Sequence, residues 1–301
     1  MTEHVVDVAG LSRRFGQKVA LDEVSFVASA GRIYGLVGAN GAGKTTLIKH
    51  LLGLLRAQSG SVRVFGRDPV RDPVGVLRRV GYLSEERELP EWMRIDELMR
   101  YTQAYHPSWD MGYADDLLDT FNLDRAKKVK ELSKGMRAQT GLVAAVAHRP
   151  DLLILDEPST GLDAVVRKDI LDAIIRTVAD DGRTVIFSSH LLEEVERMSD
   201  HVTMIHNGRV ALEGSVESIR DAHQRSSVTF AERLDEAPKI DGALSTEGGG
   251  RSWSVVHNGS IERFRQSVAQ LGGEVVQSRD ATLEEIFIAR VGRGRLSAEA
   301  E

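Results

Sequence analysis

Three short runs of this chain carry residue types that do chemistry only at fixed spacing. The first is GANGAGKTT, from Gly38 to Thr46, which fits G-x4-G-K-[ST]. Its glycines (Gly38, Gly41 and Gly43) let backbone N–H groups wrap a phosphate, with Ala39, Asn40 and Ala42 between them. Lys44 reaches the β- and γ-phosphates, the Thr45 hydroxyl can ligate Mg²⁺, and Thr46 carries the chain into a helix whose positive N-terminal end favours an anion. The second run is LLILDEP, Leu152–Pro158, in which an apolar strand delivers Asp156 and Glu157 at its carboxyl end. There Asp156 can hold Mg²⁺ and Glu157 can orient or deprotonate an attacking water. The third is His190 in VIFSSHLLEEVE, just after another apolar strand, within reach of a γ-phosphate or that water. The chemistry these runs imply is binding of Mg-ATP and its hydrolysis.

The elements that must position them read as follows. Residues 1–30 alternate in short runs such as HVVDVAGL and EVSFVAS, as half-buried strands of an antiparallel edge sheet do. A strand at 32–37 runs into the glycine loop, and a helix is expected over 45–55. Further short strands are expected at 61–65 and 80–83. From Pro90 to His148 apolar residues recur at helical spacing, which predicts an inserted helical subdomain. LLILD, a helix over 165–180 and TVIFSS then form a βαβ unit, which implies a parallel sheet. Residues 223–301 read as a separate α+β piece. It has strands near 227–230 and 253–256, a glycine-rich loop over 242–251 between them, a helix at 261–271, the strand VVQS, a helix at 282–289 and a frayed end.

The bulk numbers narrow the classes. The chain has 301 residues, 42% hydrophobic and 28% charged, which suits a globular protein with a core. Its formal net charge of −6 offers no footprint for nucleic acid, so no nucleic-acid partner is expected. The absence of Cys removes disulfide and thiolate chemistry. The first residues, with Glu3 and no apolar run, show no signal peptide, and no stretch approaches the roughly 18 apolar residues of a spanning helix. Work at a membrane would need another chain to span it. A guanine-reading N-K-x-D motif is lacking, which disfavours a GTPase.

The run LSKGM, Leu132–Met136, shortly before LLILDEP, completes an ordered set of motifs. With it the chain resembles the nucleotide-binding subunit of an ATP-binding cassette (ABC) transporter over about residues 4–220. The resemblance implies an α/β fold: a P-loop NTPase core with an antiparallel β subdomain, a helical subdomain at about 90–148 and a small C-terminal α+β module. The ATP-binding domain would span 4–222 and the accessory module 223–301. It also implies that Phe15 stacks on adenine and that Ser133 and Gly135 of one subunit close over the γ-phosphate of a second. Asp163, in STGLD, would line the interface between ATPase subunits while also serving as a helix N-cap. Three positions depart from the family pattern, and one of them is Met136, which stands where LSGGQ has Gln. Lys134 stands where LSGGQ has Gly, and either adds positive charge near the phosphate or points to solvent. Glu85, in GYLSEER, stands where the family has a metal-binding Gln, and either ligates Mg²⁺ or belongs to a solvated acidic run.

The YHPSWD segment and the tail ATLEEIFIARVG resemble the exporter-type branch. The implied partners are a transmembrane permease and a homo- or heterodimer of ATPase subunits, at the cytoplasmic face of the cell membrane. The segment from Glu85 to Met93 would meet the permease, with Trp92 and Met93 forming either part of that surface or a local core. The competing reading is a soluble or regulatory ABC ATPase without a membrane partner.

Overall fold

In the computed structural model, residues 4–86, 88–179 and 182–292 are described. The chain divides into two compact units, residues 1–191 with 198–210, and residues 192–197 with 211–301.

The first unit begins with β1 (His4–Phe15) and β2 (Lys18–Ser29), joined by a tight turn. Then come β3 (Ile33–Val37), α1 (Lys44–Leu51), β4 (Ser59–Val64), α2 (Pro73–Leu77) and β5 (Val80–Leu83). The helical insertion holds α3 (Ile95–Gln103), α4 (Met111–Thr120), a 3-10 turn at Val129–Glu131 and α5 (Lys134–Val146). The chain returns through β6 (Leu152–Leu155), α6 (Ala164–Ala179) and β7 (Thr184–Ser189). After α7 (Leu192–Met198), whose residues 192–197 belong to the second unit, it reaches β8 (His201–His206).

Two sheets result. One is antiparallel in the order β2-β1-β4. The other is parallel, with β5 beside β6, β6 beside β7, β7 beside β3 and β3 beside β8. The central strands β3, β6 and β7 are buried along their whole length, so they read as unbroken apolar runs rather than alternating ones. Helix α1 lies between the sheets. Its Leu47, Ile48 and Leu51 share one core with Val6 and Phe26 of the antiparallel sheet and with Leu36, Ile154 and Ile186 of the parallel one.

Helix α1 ends four residues before the expected Leu55. Gly53 takes φ +72, and the N–H groups of Leu54 and Leu55 turn back onto the Lys49 carbonyl. A Cβ at Gly53 would lie 2.3 Å from the Pro69 carbonyl oxygen, so only glycine fits this stop.

The second unit follows β9 (Arg209–Ser215) and contains α8 (Val216–Asp221), β10 (His223–Leu234), β11 (Ala243–Asn258), α9 (Ile261–Gln270), β12 (Gly273–Asp280) and α10 (Leu283–Val291). Its antiparallel sheet has the order β11-β10-β12. Phe230, Trp253, Val255, Phe264 and Val268 form its core. One expectation fails here. The stretch 242–251 is no loop between strands, because nearly all of it lies inside β11. Gly248 at φ +142 and Gly250 at φ +62 let the strand bend without ending, and the ladder to β10 slips between Thr229 and Leu234. The expected frayed end from 293 on, and the expected last helical residue Asp180, lie outside the described residues.

Candidate functional site

The parallel sheet brings the three chemical runs together at one edge. Leu155 of β6 lies beside Phe187 of β7, and Val37 of β3 lies beside Ser189. The residues that follow each strand therefore converge: the glycine loop after β3, Asp156 and Glu157 after β6, and His190 after β7. This is the carboxyl edge, where open α/β sheets hold ligands.

The glycine loop is forced into its path by neighbours. A Cβ at Gly38 would sit 2.3 Å from the Ile205 carbonyl oxygen, and one at Gly43, at φ +119, would sit 2.5 Å from that of Ala20. Lys44 is the first residue of α1 and is 5% exposed. Its ammonium donates to the Gly38 carbonyl at 2.6 Å and pairs with Glu157 Oε1 at 3.0 Å.

Glu157 is the hub. It is 3% exposed and takes φ +49, a left-handed backbone that a non-glycine residue adopts only when its surroundings impose it. Its Oε2 accepts from Thr160 Oγ1 at 2.8 Å and meets His190 Nδ1 at 2.7 Å. The Glu157 N–H donates to Ser188 Oγ at 2.9 Å, and that hydroxyl donates to Asp156 Oδ1 at 2.6 Å. Burial pushes the Glu157 carboxyl up, but Lys44, His190 and Thr160 together outweigh it and hold the group below its ordinary value. The site's negative field shows at Tyr82, whose hydroxyl is pushed up to about 12 by burial and then by Asp156, Glu86 and Glu85.

A cavity of about 380 Å³ opens over the loop. Its lining includes Phe15, Ala39, Asn40, Gly41, Gly43, Lys44, Thr45, Thr46, Glu85 and Glu157. Phe15 is 46% exposed, with the Arg13 guanidinium 4.7 Å from its ring centre, so an aromatic face is presented at the cavity rim. Gly38 and Ala42 belong to the loop but do not line the cavity. Asp156 and His190 do not line the cavity: His190 contacts Glu157 directly, and Asp156 is linked to it through Ser188. Glu85 lines the cavity with its side chain exposed, rather than only joining a solvated run.

Ser133, Gly135 and Asp163 do not line this cavity; they stand at the starts of α5 and α6. Ser133 caps α5 by accepting from Met136 N–H at 3.2 Å. Asp163 Oδ1 accepts from the N–H groups of Val165 and Val166 at 3.0 Å, so it is the N-cap the sequence predicts. Gly135 lets α5 approach α6, since a Cβ there would stand 3.1 Å from Val166. Lys134 lies over the turn at Gly161, where an added Cβ would come within 2.2 Å of its ammonium. The pair Trp92 and Met93 splits: Met93 is buried in the core, whereas Trp92 is 69% exposed.

The oxygen set of Thr45, Asp156 and Glu85 suits Mg²⁺, a hard cation. Among the described residues no three His, Cys, Asp or Glu side chains group to hold a metal by themselves.

Sequence reasoning passed over Ser188, Thr160 and Lys18. Ser188 carried a signal, since two serines end the buried strand TVIFSS. Thr160 follows Glu157 by three residues, the spacing that lets a side chain turn back. Lys18 also lines the cavity, and nothing in its local sequence marks it.

The chain is similar to known proteins in sequence and in fold. The family model described as ABC transporter matches residues 21–160. The chain is 31% identical to the daunorubicin resistance ATP-binding protein DrrA3 of Streptomyces coeruleorubidus, over 100% of both chains. It is also 31% identical to the Nod factor export ATP-binding protein I of Burkholderia lata, over 96% of this chain and 97% of that one. A solved structure described as the ATP binding subunit of an ABC transporter superposes with a TM-score of 0.67 at 30% identity, covering 72% of this chain and 92% of that chain.

Proposed function

The chain belongs to the ABC transporter family, as an ATP-binding subunit that hydrolyses ATP to drive transport, and we propose that it is one half of a two-site export motor. The ATP-binding domain spans 4–222 and 223–301 is its accessory module. The observation that carries the reading is the Lys44–Glu157–His190 cluster at the mouth of the glycine loop.

In this reading the loop from Gly38 to Thr46 cradles the phosphates, Lys44 offsets their charge and Phe15 stacks on adenine. Thr45, Asp156 and Glu85 would hold Mg²⁺, which when bound would offset charge on the phosphate oxygens. Glu157 orients the water that attacks the γ-phosphorus and takes its proton, while the bond to the bridging oxygen breaks toward ADP. His190 holds the carboxylate in place through its 2.7 Å contact. The protein does little covalent chemistry, so positioning and electrostatics supply most of the rate.

Ser133, Gly135 and Asp163 serve a second ATPase subunit. Their absence from this chain's own cavity supports a site closed in trans. ATP bridging two subunits would favour the closed pair, and hydrolysis would release it. Among the described residues no helix is long and apolar enough to cross a membrane, so a transmembrane permease is the proposed partner, with this chain on the cytoplasmic face. A groove of about 840 Å³, lined by Val74, Leu77, Leu89, Tyr105 and Ala144, is the proposed seat for that partner. The names of the two relatives above, one for drug resistance and one for export, support an outward direction.

The test is the mass of Glu157→Gln in solution with and without Mg-ATP. ATP should convert monomer to dimer, and a further Ser133→Arg change should abolish that conversion. A species that stays monomeric with ATP bound, in the presence of its permease, would overturn the two-site reading.

A further inference from the structure

The cavity over the glycine loop is lined by two ammonium groups, Lys44 and Lys18. Lys44 is buried, bonded to the Gly38 carbonyl and paired with Glu157. Lys18 is the first residue of β2 and is exposed. Among the described residues its ammonium makes no ion pair and no hydrogen bond. Neither carboxylate of the cavity engages it: Glu157 is taken by Lys44, and Glu85 forms no ion pair with Lys18.

The hairpin holds Lys18 over the cavity. Strand β1 ends at Phe15, β2 starts at Lys18, and the two residues stand directly opposite in the antiparallel ladder. Residues so paired carry their side chains on one face of the sheet, with Cβ atoms about 4.5–5.5 Å apart. The Lys18 stem therefore starts beside the Phe15 ring. Its far end reaches the glycine loop, since a Cβ added at Gly41 would lie 3.7 Å from the Lys18 ammonium. An ammonium is strongly hydrated, and a lysine stem is flexible enough to carry it into open water. Here it leans over the loop backbone instead, and one side chain spans from the aromatic ring to the phosphate loop.

The connectivity of the nucleotide supplies the next step. In ATP the ribose and the α-phosphate join the base to the β- and γ-phosphates. A base stacked on Phe15, with terminal phosphates beside Lys44 and Glu157, leaves the α-phosphate between the two ends. Lys18 touches the cavity along that stretch, between Phe15 and Gly41. The charge it meets there is one that ATP and ADP share, not the one that hydrolysis removes.

We infer that Lys18 is a further nucleotide-binding residue, whose ammonium pairs with the phosphate next to the ribose. The assignment rests on the reading of Gly38–Thr46 as the nucleotide loop and of Phe15 as the base platform. It divides the cations of the site by role. Lys44, buried beside Glu157, acts on the end of the nucleotide that reacts. Lys18, at the open rim, acts on the part that does not. An interaction made equally in the ground state and the transition state raises affinity without speeding the chemical step. Because Lys18 is exposed, its contribution is moderate and is screened by salt.

The experiment measures binding of ADP and of a non-hydrolysable ATP analogue, both with Mg²⁺, to the full chain by calorimetry at low and high salt. Wild type is compared with Lys18→Met, which keeps the apolar stem and removes the charge, and with Lys18→Arg. Lys18→Met should weaken both nucleotides by the same factor, about three- to tenfold at low salt, and the difference from wild type should shrink as salt rises. KM for ATP should rise by that factor while kcat at saturating ATP holds, which also shows the variant folded. Lys18→Arg should recover most of the affinity. Unchanged ADP affinity in Lys18→Met would overturn the proposal and leave the nucleotide loop in place. So would a loss confined to the ATP analogue, which would put Lys18 at the γ-phosphate, or a loss independent of salt, which would make its stem a packing partner of the base. A wild-type chain that binds neither nucleotide would overturn the loop reading itself, and the proposal with it.

Discussion

Ser188→Ala isolates the part of the site that the local motifs do not contain. The Ser188 hydroxyl joins the two acids, donating to Asp156 at 2.6 Å and accepting from the Glu157 N–H at 2.9 Å. All three residues are buried. Alanine leaves the Glu157 N–H unpaired, at about 1–3 kcal/mol, and removes a hydrogen bond to a charged group, at about 1.5–3 kcal/mol. The two losses share one atom and do not add fully. A net destabilisation of about 2–3 kcal/mol follows, which for a unit of about 200 residues lowers the melting temperature by about 4–12 °C. The same change releases Glu157 from its left-handed backbone at φ +49. Turnover should fall at least tenfold, whereas KM for ATP should stay within about threefold, because the bonds of Lys44 to the loop are untouched. Thermal melts and steady-state kinetics at saturating Mg²⁺ measure both. Ser188→Thr, which keeps the hydroxyl, should recover part of the turnover. An unchanged melt with unchanged kcat, or a loss confined to KM, would refute the view that this hydroxyl sets the geometry of the acids.

Other changes test other parts of the structure. Glu157→Gln should lower turnover by roughly 10²–10⁴ while nucleotide still binds, as measured by a fluorescent ATP analogue; near-normal turnover would remove Glu157 from the role of base. Gly43→Ala should abolish nucleotide binding and lower stability, since its Cβ would meet the Ala20 carbonyl at 2.5 Å and its φ of +119 excludes other residues; a soluble variant with normal affinity would contradict this. Val74→Glu with Tyr105→Glu should stop co-purification with the permease and leave ATP binding intact, because both side chains line the proposed docking groove. In the second unit, burial and then His223 hold His257 down at about 4, against an ordinary 6.5. The folded ring stays neutral while the unfolded chain takes up a proton, so its contribution to stability is complete above about 6.5 and is lost as pH falls toward 4. The fall in melting temperature between pH 7 and pH 5 should be shallower in His257→Gln, and an equal slope would count against it.

The local motifs were legible because their chemistry is carried by contiguous residues. A phosphate loop must place glycines, a lysine and a hydroxyl within one turn between a strand and a helix, so Gly38–Thr46 could be read directly. The strand LLIL could be placed because a strand buried on both faces must be apolar throughout. The helical insertion was legible from its period, and the bent strand β11 was not, because glycines that break a loop prediction also permit a bulge.

What the sequence by itself determined is the inventory: which loop cradles phosphate, which strand ends in acids, and which residues stand at Glu85 and Lys134 in place of the family's own. Only the tertiary structure decided how that inventory is wired. Parallel pairing of β3, β6 and β7 set Lys44, Glu157 and His190 within one cluster, though 146 positions separate the first from the last. The same pairing recruited Ser188, and it left Ser133, Gly135 and Asp163 outside the cavity. The physical reason is that a hydrogen bond depends on distances of about 3 Å in space, while sequence spacing governs distance only within a turn or two of the chain.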